Sequence, residues 1–140
     1  MTVQMVLLPV FVLVFLAFGL MFWSGNCRLS AIRRGDLSLN NFALGPTDVP
    51  EDIKRYGNAF DNQFQLPVLF YVLVALALPL RQADLLFVLL SWVFVTLRVL
   101  HAVIYVGANN VRHRFYTFAA CALMVLAMWV MFALKILLAI

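Results

Sequence analysis

Hydrophobic residues fall in four long runs that are separated by short polar segments. The runs cover residues 3–23, 58–80, 85–106 and 115–138, and the first contains no charged residue. Crossing the hydrocarbon core of a bilayer takes about 20 mostly apolar residues, at roughly 1.5 Å of rise per residue. The pattern therefore predicts four membrane-spanning helices and one long connection, over residues 24–57.

The composition supports a membrane protein. Hydrophobic residues make up 66% of the chain, charged residues only 11%, and the mean hydropathy is +1.02, values outside the range of ordinary soluble domains. Four spans with short links leave no room for a separate soluble domain, so we expect a single all-α domain over residues 1–140. The first run lacks the basic start and the small-residue cleavage site of a signal peptide, and we expect it to be retained.

Positive charge outside the spans predicts the orientation. Cytoplasmic loops are enriched in Lys and Arg, so the first and third connections are expected in the cytoplasm and both termini outside. Those connections carry Arg28, Arg33, Arg34, Lys54, Arg55, Arg112 and Arg114, against Arg81 and Lys135 on the opposite side. The net charge of +4 then reflects topology and gives no reason to expect a nucleic-acid partner. Short loops and the lack of an organelle signal fit a bacterial inner membrane.

Two polar stripes interrupt the apolar runs. On the third span, Arg98, His101 and Tyr105 stand at i, i+3 and i+7, which places them on one helix face. The start of the second span repeats this spacing with Asn58, Asp61, Asn62 and Gln65. The predicted topology brings both stripes to the same cytoplasmic depth, where they can line a site for a polar, anionic ligand. Helix adhesion through hydrogen bonds is the alternative reading.

Arg98 needs compensation inside the membrane, because an intramembrane arginine costs several kcal/mol unless it is paired or lines a wet cavity. Asp61 is the only acidic residue in the four runs. We infer an Arg98–Asp61 contact, direct or through water, within one bundle or between subunits. The two cysteines, Cys27 and Cys121, are interpreted as structural thiols. We expect no disulfide between them and, because the histidines are scattered, no metal site.

The stretch "RVLHAVIYVG", followed by Arg114, resembles the MAPEG family, the membrane-associated proteins of eicosanoid and glutathione metabolism. The microsomal glutathione transferase and microsomal prostaglandin E synthase branch shows R-x-x-H-x-x-x-Y-x-G and an arginine nine residues after the tyrosine, the separation of Tyr105 and Arg114. On the second helix, Arg55, then Asn58 to Asp61, and Pro67 resemble the family pattern of arginine, N-x-x-E and proline. Aspartate replaces glutamate here, and an alignment on Pro67 places Gln63 at the acid position.

The resemblance implies a four-helix bundle that assembles as a homotrimer, with glutathione as co-substrate between neighbouring subunits near the cytoplasmic face. It implies that Arg114 is catalytic, because the matching arginine lies near the glutathione sulfur and favours its thiolate. The residues implied to bind glutathione are Arg55, Asn58, Asp61, Asn62, Arg98, His101 and Tyr105. Phe115 stands where the prostaglandin synthases have a serine, which argues against prostaglandin synthesis.

Two functions from different classes follow. The first is a membrane-bound glutathione transferase or peroxidase that acts on hydrophobic small molecules reaching the site through the lipid bilayer. The second is a non-catalytic protein of this fold that binds a lipid or serves as a partner in a membrane complex. An acidic residue placed to bind the glutathione amine would favour the enzyme over the non-catalytic protein. In this sequence the position of that acid is ambiguous.

Overall fold

The computed structural model contains five α-helices and describes residues 1–43 and 49–140. The helices are α1 (Val3–Arg33), α2 (Glu51–Asp61), α3 (Leu66–Ala77), α4 (Leu85–Val106) and α5 (Val111–Leu138). Short 3-10 turns cover Leu39–Phe42 and Asn62–Phe64. The described part of the chain has no β-strand, which confirms the all-α prediction.

Four helical segments are long and apolar enough to cross a membrane, as predicted. They are Val3–Arg33, Glu51–Ala77, Leu85–Val106 and Val111–Leu138. The first and second extend well into the connection expected at residues 24–57, which is therefore helical at both ends. Residues 44–48 of that connection lie outside the described residues.

Side-chain caps set the start of three helices. The Thr2 hydroxyl accepts from the Met5 amide, the Asp84 carboxylate from the Phe87 amide at 2.9 Å, and the Asn110 side chain from the Arg112 and His113 amides. Such caps satisfy backbone N–H groups that have no partner in the first helical turn. They explain why α4 and α5 begin directly after short polar links.

The second span is broken, whereas the sequence led us to expect one continuous helix from residue 58. Gln65 leaves the helical conformation with φ −97° and ψ −109°, after the 3-10 turn Asn62–Phe64. Pro67 follows in the first turn of α3 and cannot donate a backbone hydrogen bond to the preceding turn. The span therefore consists of α2 and α3 joined by a break.

The core lies between α1, α3, α4 and α5. Leu13, Phe70, Leu73, Phe94 and Met128 are completely buried there. The rings of Phe70 and Phe94 are 5.0 Å apart between centroids, which joins α3 to α4. The Trp129 indole of α5 also donates to a backbone carbonyl of α3, at 3.2 Å.

The outer faces of the helices are also apolar. Phe15 and Phe22 on α1 and Leu123 on α5 are all more than two thirds exposed. Large exposed apolar surfaces are unfavourable in water but suit contact with lipid tails. Both the core and the outer surface of the helices are therefore apolar, as in an integral membrane protein.

At the end of the bundle that contains the α3–α4 link, an ion pair joins α4 to α5. Lys135 near the end of α5 donates to the carboxylate of Asp84, which caps α4. Partial burial raises the pKa of Asp84, but the hydrogen bonds from Lys135 and from the Phe87 amide outweigh that effect and lower the pKa overall. The carboxylate therefore ties the start of α4 to the end of α5.

Candidate functional site

A cleft of about 330 Å³ opens at the end of the bundle that contains the α4–α5 link, which we call the basic end. Its lining combines four polar and three apolar residues from three parts of the chain. They are Asn62 from the break between α2 and α3, His101 and Tyr105 from α4, and Val111, Arg114, Phe115 and Phe118 from α5. The cleft is amphipathic, with hydrogen-bonding groups beside aromatic rings.

Arg114 is positioned in the first turn of α5. Its Nη1 donates to the Asn109 side-chain oxygen at 2.8 Å, and its Cζ lies 4.6 Å from the centroid of the Tyr105 ring. Asn109 itself has φ of 51°, a left-handed conformation that asparagine tolerates better than most residues. The tight α4–α5 link thus holds a cation over an aromatic ring on the wall of the cleft.

His101 forms the inner part of the same wall. It is 97% buried, and its ring centroid lies 6.1 Å from that of Tyr105 and 6.2 Å from that of Phe118. Its Nδ1 atom has no hydrogen-bond partner within the described part of the chain. The imidazole is therefore held by aromatic contacts on two sides.

Arg98 is completely buried and is not among the residues that line the cleft. Its Nη2 donates to the backbone carbonyl of Asn62 at 3.0 Å, while Nε and Nη1 have no partner in residues 1–43 and 49–140. Asp61 is exposed, and the ion pairs of the described residues do not join it to Arg98. Within one chain the expected direct pair is thus replaced by a hydrogen bond to the carbonyl of Asn62, the neighbour of Asp61; a contact through water or between subunits stays a prediction.

The other predicted residues of α2 lie outside the cleft of a single chain. Arg55 donates to the Gly107 carbonyl at 2.9 Å, which anchors α2 to the end of α4. Asn58 is half-buried and, like Asp61, does not line the cleft. The structure therefore brings together four of the eight predicted site residues, namely Asn62, His101, Tyr105 and Arg114.

Sequence reasoning missed the apolar half of the cleft. Val111, Phe115 and Phe118 line it, whereas the ligand contacts predicted from the sequence are all polar. Their spacing on α5, at i, i+4 and i+7, was the available signal for a shared face. Asn109, which holds Arg114, was also missed, because its role depends on the left-handed backbone of the α4–α5 link.

Gln63, the alternative candidate for the acid position, faces away from the cleft. It is 98% buried, and its Nε2 donates to the Ala59 carbonyl at 3.1 Å. Together with Phe18, Phe60 and Tyr71 it lines a separate apolar pocket of about 220 Å³ between α1 and the break. Consecutive residues of the 3-10 turn therefore line different pockets.

The two thiols do not take part in the cleft. Cys27 is partly exposed on α1, Cys121 is buried in the core, and both are free. Among the described residues no group of three or more His, Cys, Asp or Glu side chains is arranged to hold a metal ion. The chemistry available in the cleft is hydrogen bonding, cationic stabilisation of an anion and aromatic contact.

Comparison with known proteins agrees with this architecture. The sequence model of the MAPEG family matches residues 6–134, which is nearly the whole chain. No curated protein and no solved structure matches it. Because the family match extends over all four spans and includes every residue of the cleft, the chain belongs to the MAPEG family.

Proposed function

We propose that this protein is a glutathione-dependent transferase or peroxidase that acts on hydrophobic electrophiles within the membrane. The observation that carries the proposal is the half-buried Arg114 guanidinium on the wall of the cleft, held by Asn109 and Tyr105 and flanked by Phe115. A fixed cation beside an apolar surface suits a reaction between a sulfur anion and an apolar electrophile. Membership of the MAPEG family supports glutathione as the thiol.

In conjugation, the glutathione thiolate attacks an electrophilic carbon, a carbon–sulfur bond forms, and the leaving group departs with the electron pair of the bond that breaks. With a hydroperoxide, the thiolate attacks oxygen, the oxygen–oxygen bond breaks, and the alcohol leaves after taking up a proton. A second glutathione then displaces water from the resulting sulfenic acid and forms the disulfide. In both reactions Arg114 stabilises the attacking thiolate, while Phe115 and Phe118 contact the apolar reactant.

The assembly that we propose is a homotrimer, in which a neighbouring subunit completes the cleft. Asn58 and Asp61 lie on α2 outside the cleft of their own chain, and Asp61 is exposed. The family implies binding of glutathione between subunits, so these side chains are candidates to serve a neighbour's cleft. Native mass spectrometry from a mild detergent is expected to give a trimer, and a monomer would contradict this assembly.

One feature of the cleft favours a second candidate function. Glutathione carries an amine as well as two carboxylates, yet none of the residues that line the cleft of a single chain is acidic. A cleft with one arginine and no acid also suits an anionic lipid headgroup. The second candidate is therefore a non-catalytic member of the family that binds a lipid or a membrane partner.

Calorimetric titration of the purified protein with glutathione, together with ultraviolet detection of the bound thiolate at neutral pH, decides between the two. We expect saturable binding at millimolar glutathione or below and a thiolate signal that S-methylglutathione does not produce. Binding of S-methylglutathione without any thiolate signal from glutathione would retain the site but remove the proposed catalysis. Absence of binding by both peptides would leave the non-catalytic candidate.

A further inference from the structure

The buried Arg98 stands beside the carboxyl end of α2. If α2 continued as a regular helix, the Asn62 carbonyl would accept a hydrogen bond from the amide of Leu66. The chain instead breaks at Gln65, whose amide reaches that carbonyl only at 3.4 Å. The Nη2 donor of Arg98 fills the position at 3.0 Å. The carbonyl at the end of the broken helix thus receives a hydrogen bond from α4.

The charges of the two groups are also complementary. The carboxyl end of a helix carries partial negative charge from its last carbonyl groups, and a cation placed there is stabilised. The Arg98 guanidinium has no carboxylate partner in the described part of the chain, so the end of α2 is the negative group that the structure provides. This arrangement gives the buried guanidinium one hydrogen bond and a partial negative charge in place of an ion pair.

The position of this cap matters for the cleft. Asn62 lines the polar cleft, while the next residue, Gln63, lines the separate apolar pocket on the other side of the turn. Successive residues of a 3-10 turn point about 120° apart, so a rotation of this turn would carry the Asn62 side chain out of the cleft. Arg98 donates a hydrogen bond to the carbonyl of the peptide that joins these two residues. This bond opposes rotation of the turn and so keeps Asn62 on the side of the cleft.

We propose that Arg98 is a positioning residue, which caps the carboxyl end of α2 from α4 and thereby holds Asn62 in the cleft without touching the bound molecule. The effect on glutathione rests on the proposed function, whereas the cap itself does not. This role differs from the one that the family resemblance implied, in which Arg98 contacts glutathione. Its complete burial and its absence from the cleft wall support the indirect role.

The cap can be observed directly by NMR. Asn62–Gln63 is the only Asn-Gln pair in the sequence, so labelling Asn with ¹³C at the carbonyl and Gln with ¹⁵N gives one resonance, from the capped peptide. We expect Arg98→Met to move this carbonyl resonance upfield, and Arg98→Lys to move it less, because lysine retains a cationic donor. Ser91→Ala is the matched control, since it removes a buried hydrogen bond within α4 itself. An unchanged resonance in both Arg98 variants would overturn the cap.

Glutathione binding then tests whether Arg98 acts through Asn62. We expect Arg98→Met to weaken glutathione binding about tenfold, equivalent to about 1.4 kcal/mol, and Arg98→Lys to weaken it less. In an Asn62→Ala background neither change should have a further effect, because the positioned side chain is already absent. The thiolate fraction of bound glutathione should stay constant throughout.

Additive losses in the Asn62→Ala background, or a fall in the thiolate fraction, would show that Arg98 contacts glutathione directly and would overturn the positioning role. If Arg98→Met fails to fold, Arg98→Lys supplies the same comparison with smaller expected changes. If the unmodified protein binds no glutathione, the proposed function fails, but the carbonyl resonance still decides whether Arg98 caps α2. The two failures are therefore distinguishable.

Discussion

Replacing Arg114 with alanine tests the proposed chemistry most directly. The side chain contributes a cation to the cleft and contacts Asn109 and Tyr105, both of which belong to the α4–α5 end. Both partners are uncharged and the side chain is only half-buried, so its removal leaves no buried charge without a partner. We expect Arg114→Ala to fold and to assemble as the unmodified protein does.

The size of the effect follows from electrostatics. A thiolate about 4 Å from a guanidinium gains about 1 kcal/mol in bulk water and about 4 kcal/mol at an effective dielectric constant of 20. The half-buried Arg114 lies between these limits, and about 1.4 kcal/mol corresponds to one pKa unit. Loss of Arg114 should therefore raise the pKa of the glutathione thiol by roughly one to two units.

The rate of conjugation should fall less than the thiolate fraction. Below the thiol pKa, each unit lowers the thiolate fraction about tenfold, but the more basic thiolate is also the better nucleophile, with a Brønsted coefficient of about 0.5. The two effects together predict a decrease of roughly three- to tenfold in conjugation of a chlorodinitrobenzene at neutral pH. The thiolate absorbance of bound glutathione, measured at saturation, should fall by the larger factor.

Arg112→Ala is the matched control for this experiment. It removes the same charge from the same helical turn, but Arg112 is exposed and does not line the cleft. We expect it to retain the thiolate signal and most of the activity. Equal losses in the two variants would show that the general positive charge of the basic end stabilises the thiolate, and an active Arg114→Ala would refute the role of Arg114.

Three further predictions concern the bundle. Asp84→Asn removes the ion pair with Lys135 and should lower the free energy of unfolding by about 0.2–1 kcal/mol, the value of an exposed pair. Asp84→Ala also removes the helix cap and should lower it by about 1–2 kcal/mol more. Thermal unfolding in detergent measures both changes. Because the pKa of Asp84 is lowered in the fold, the carboxylate stabilises the protein above its ordinary pKa of 3.8, and this stabilisation is lost as the pH falls below that value. Lys135→Met should weaken this acid dependence. A membrane-impermeant maleimide should label Cys27 only from the cytoplasmic side and should not label the buried Cys121. Labelling of Cys27 from outside would contradict the orientation predicted from the sequence. Trp129→Phe should lower the unfolding free energy by about 1 kcal/mol through loss of its hydrogen bond to α3, and an unchanged stability would show that this bond contributes nothing.

The four spans could be predicted because a single constraint determines them. Backbone groups in lipid must be satisfied within the segment, so a long apolar run has to be helical. The break at Gln65 did not follow from this rule, although Pro67 was a signal for it. The carbonyl that the break leaves open is satisfied by Arg98, which is 36 residues away, and helical periodicity carries no information about such a contact.

The candidate site was predictable along α4 and less so along α2. His101 and Tyr105 share a face of an unbroken helix, so their spacing was enough to place both in one cleft. On α2, the predicted stripe grouped Asp61 with Asn62, although both have helical backbone angles and consecutive residues of a helix point about 100° apart. Asp61 consequently faces outward while Asn62 lines the cleft.

The outward position of Asp61 gives the proposed trimer a functional meaning. An exposed carboxylate at the base of a membrane-embedded helix is costly in contact with lipid, and it is stabilised by water or by a positively charged partner. The cleft of one chain, in turn, has cationic and neutral groups but no acid for the glutathione amine. One arrangement satisfies both requirements, in which Asp61 of one subunit completes the cleft of the next. Trimer formation would then be part of glutathione recognition, and a variant that folds as a monomer should lose the contact with the glutathione amine and bind the peptide less tightly.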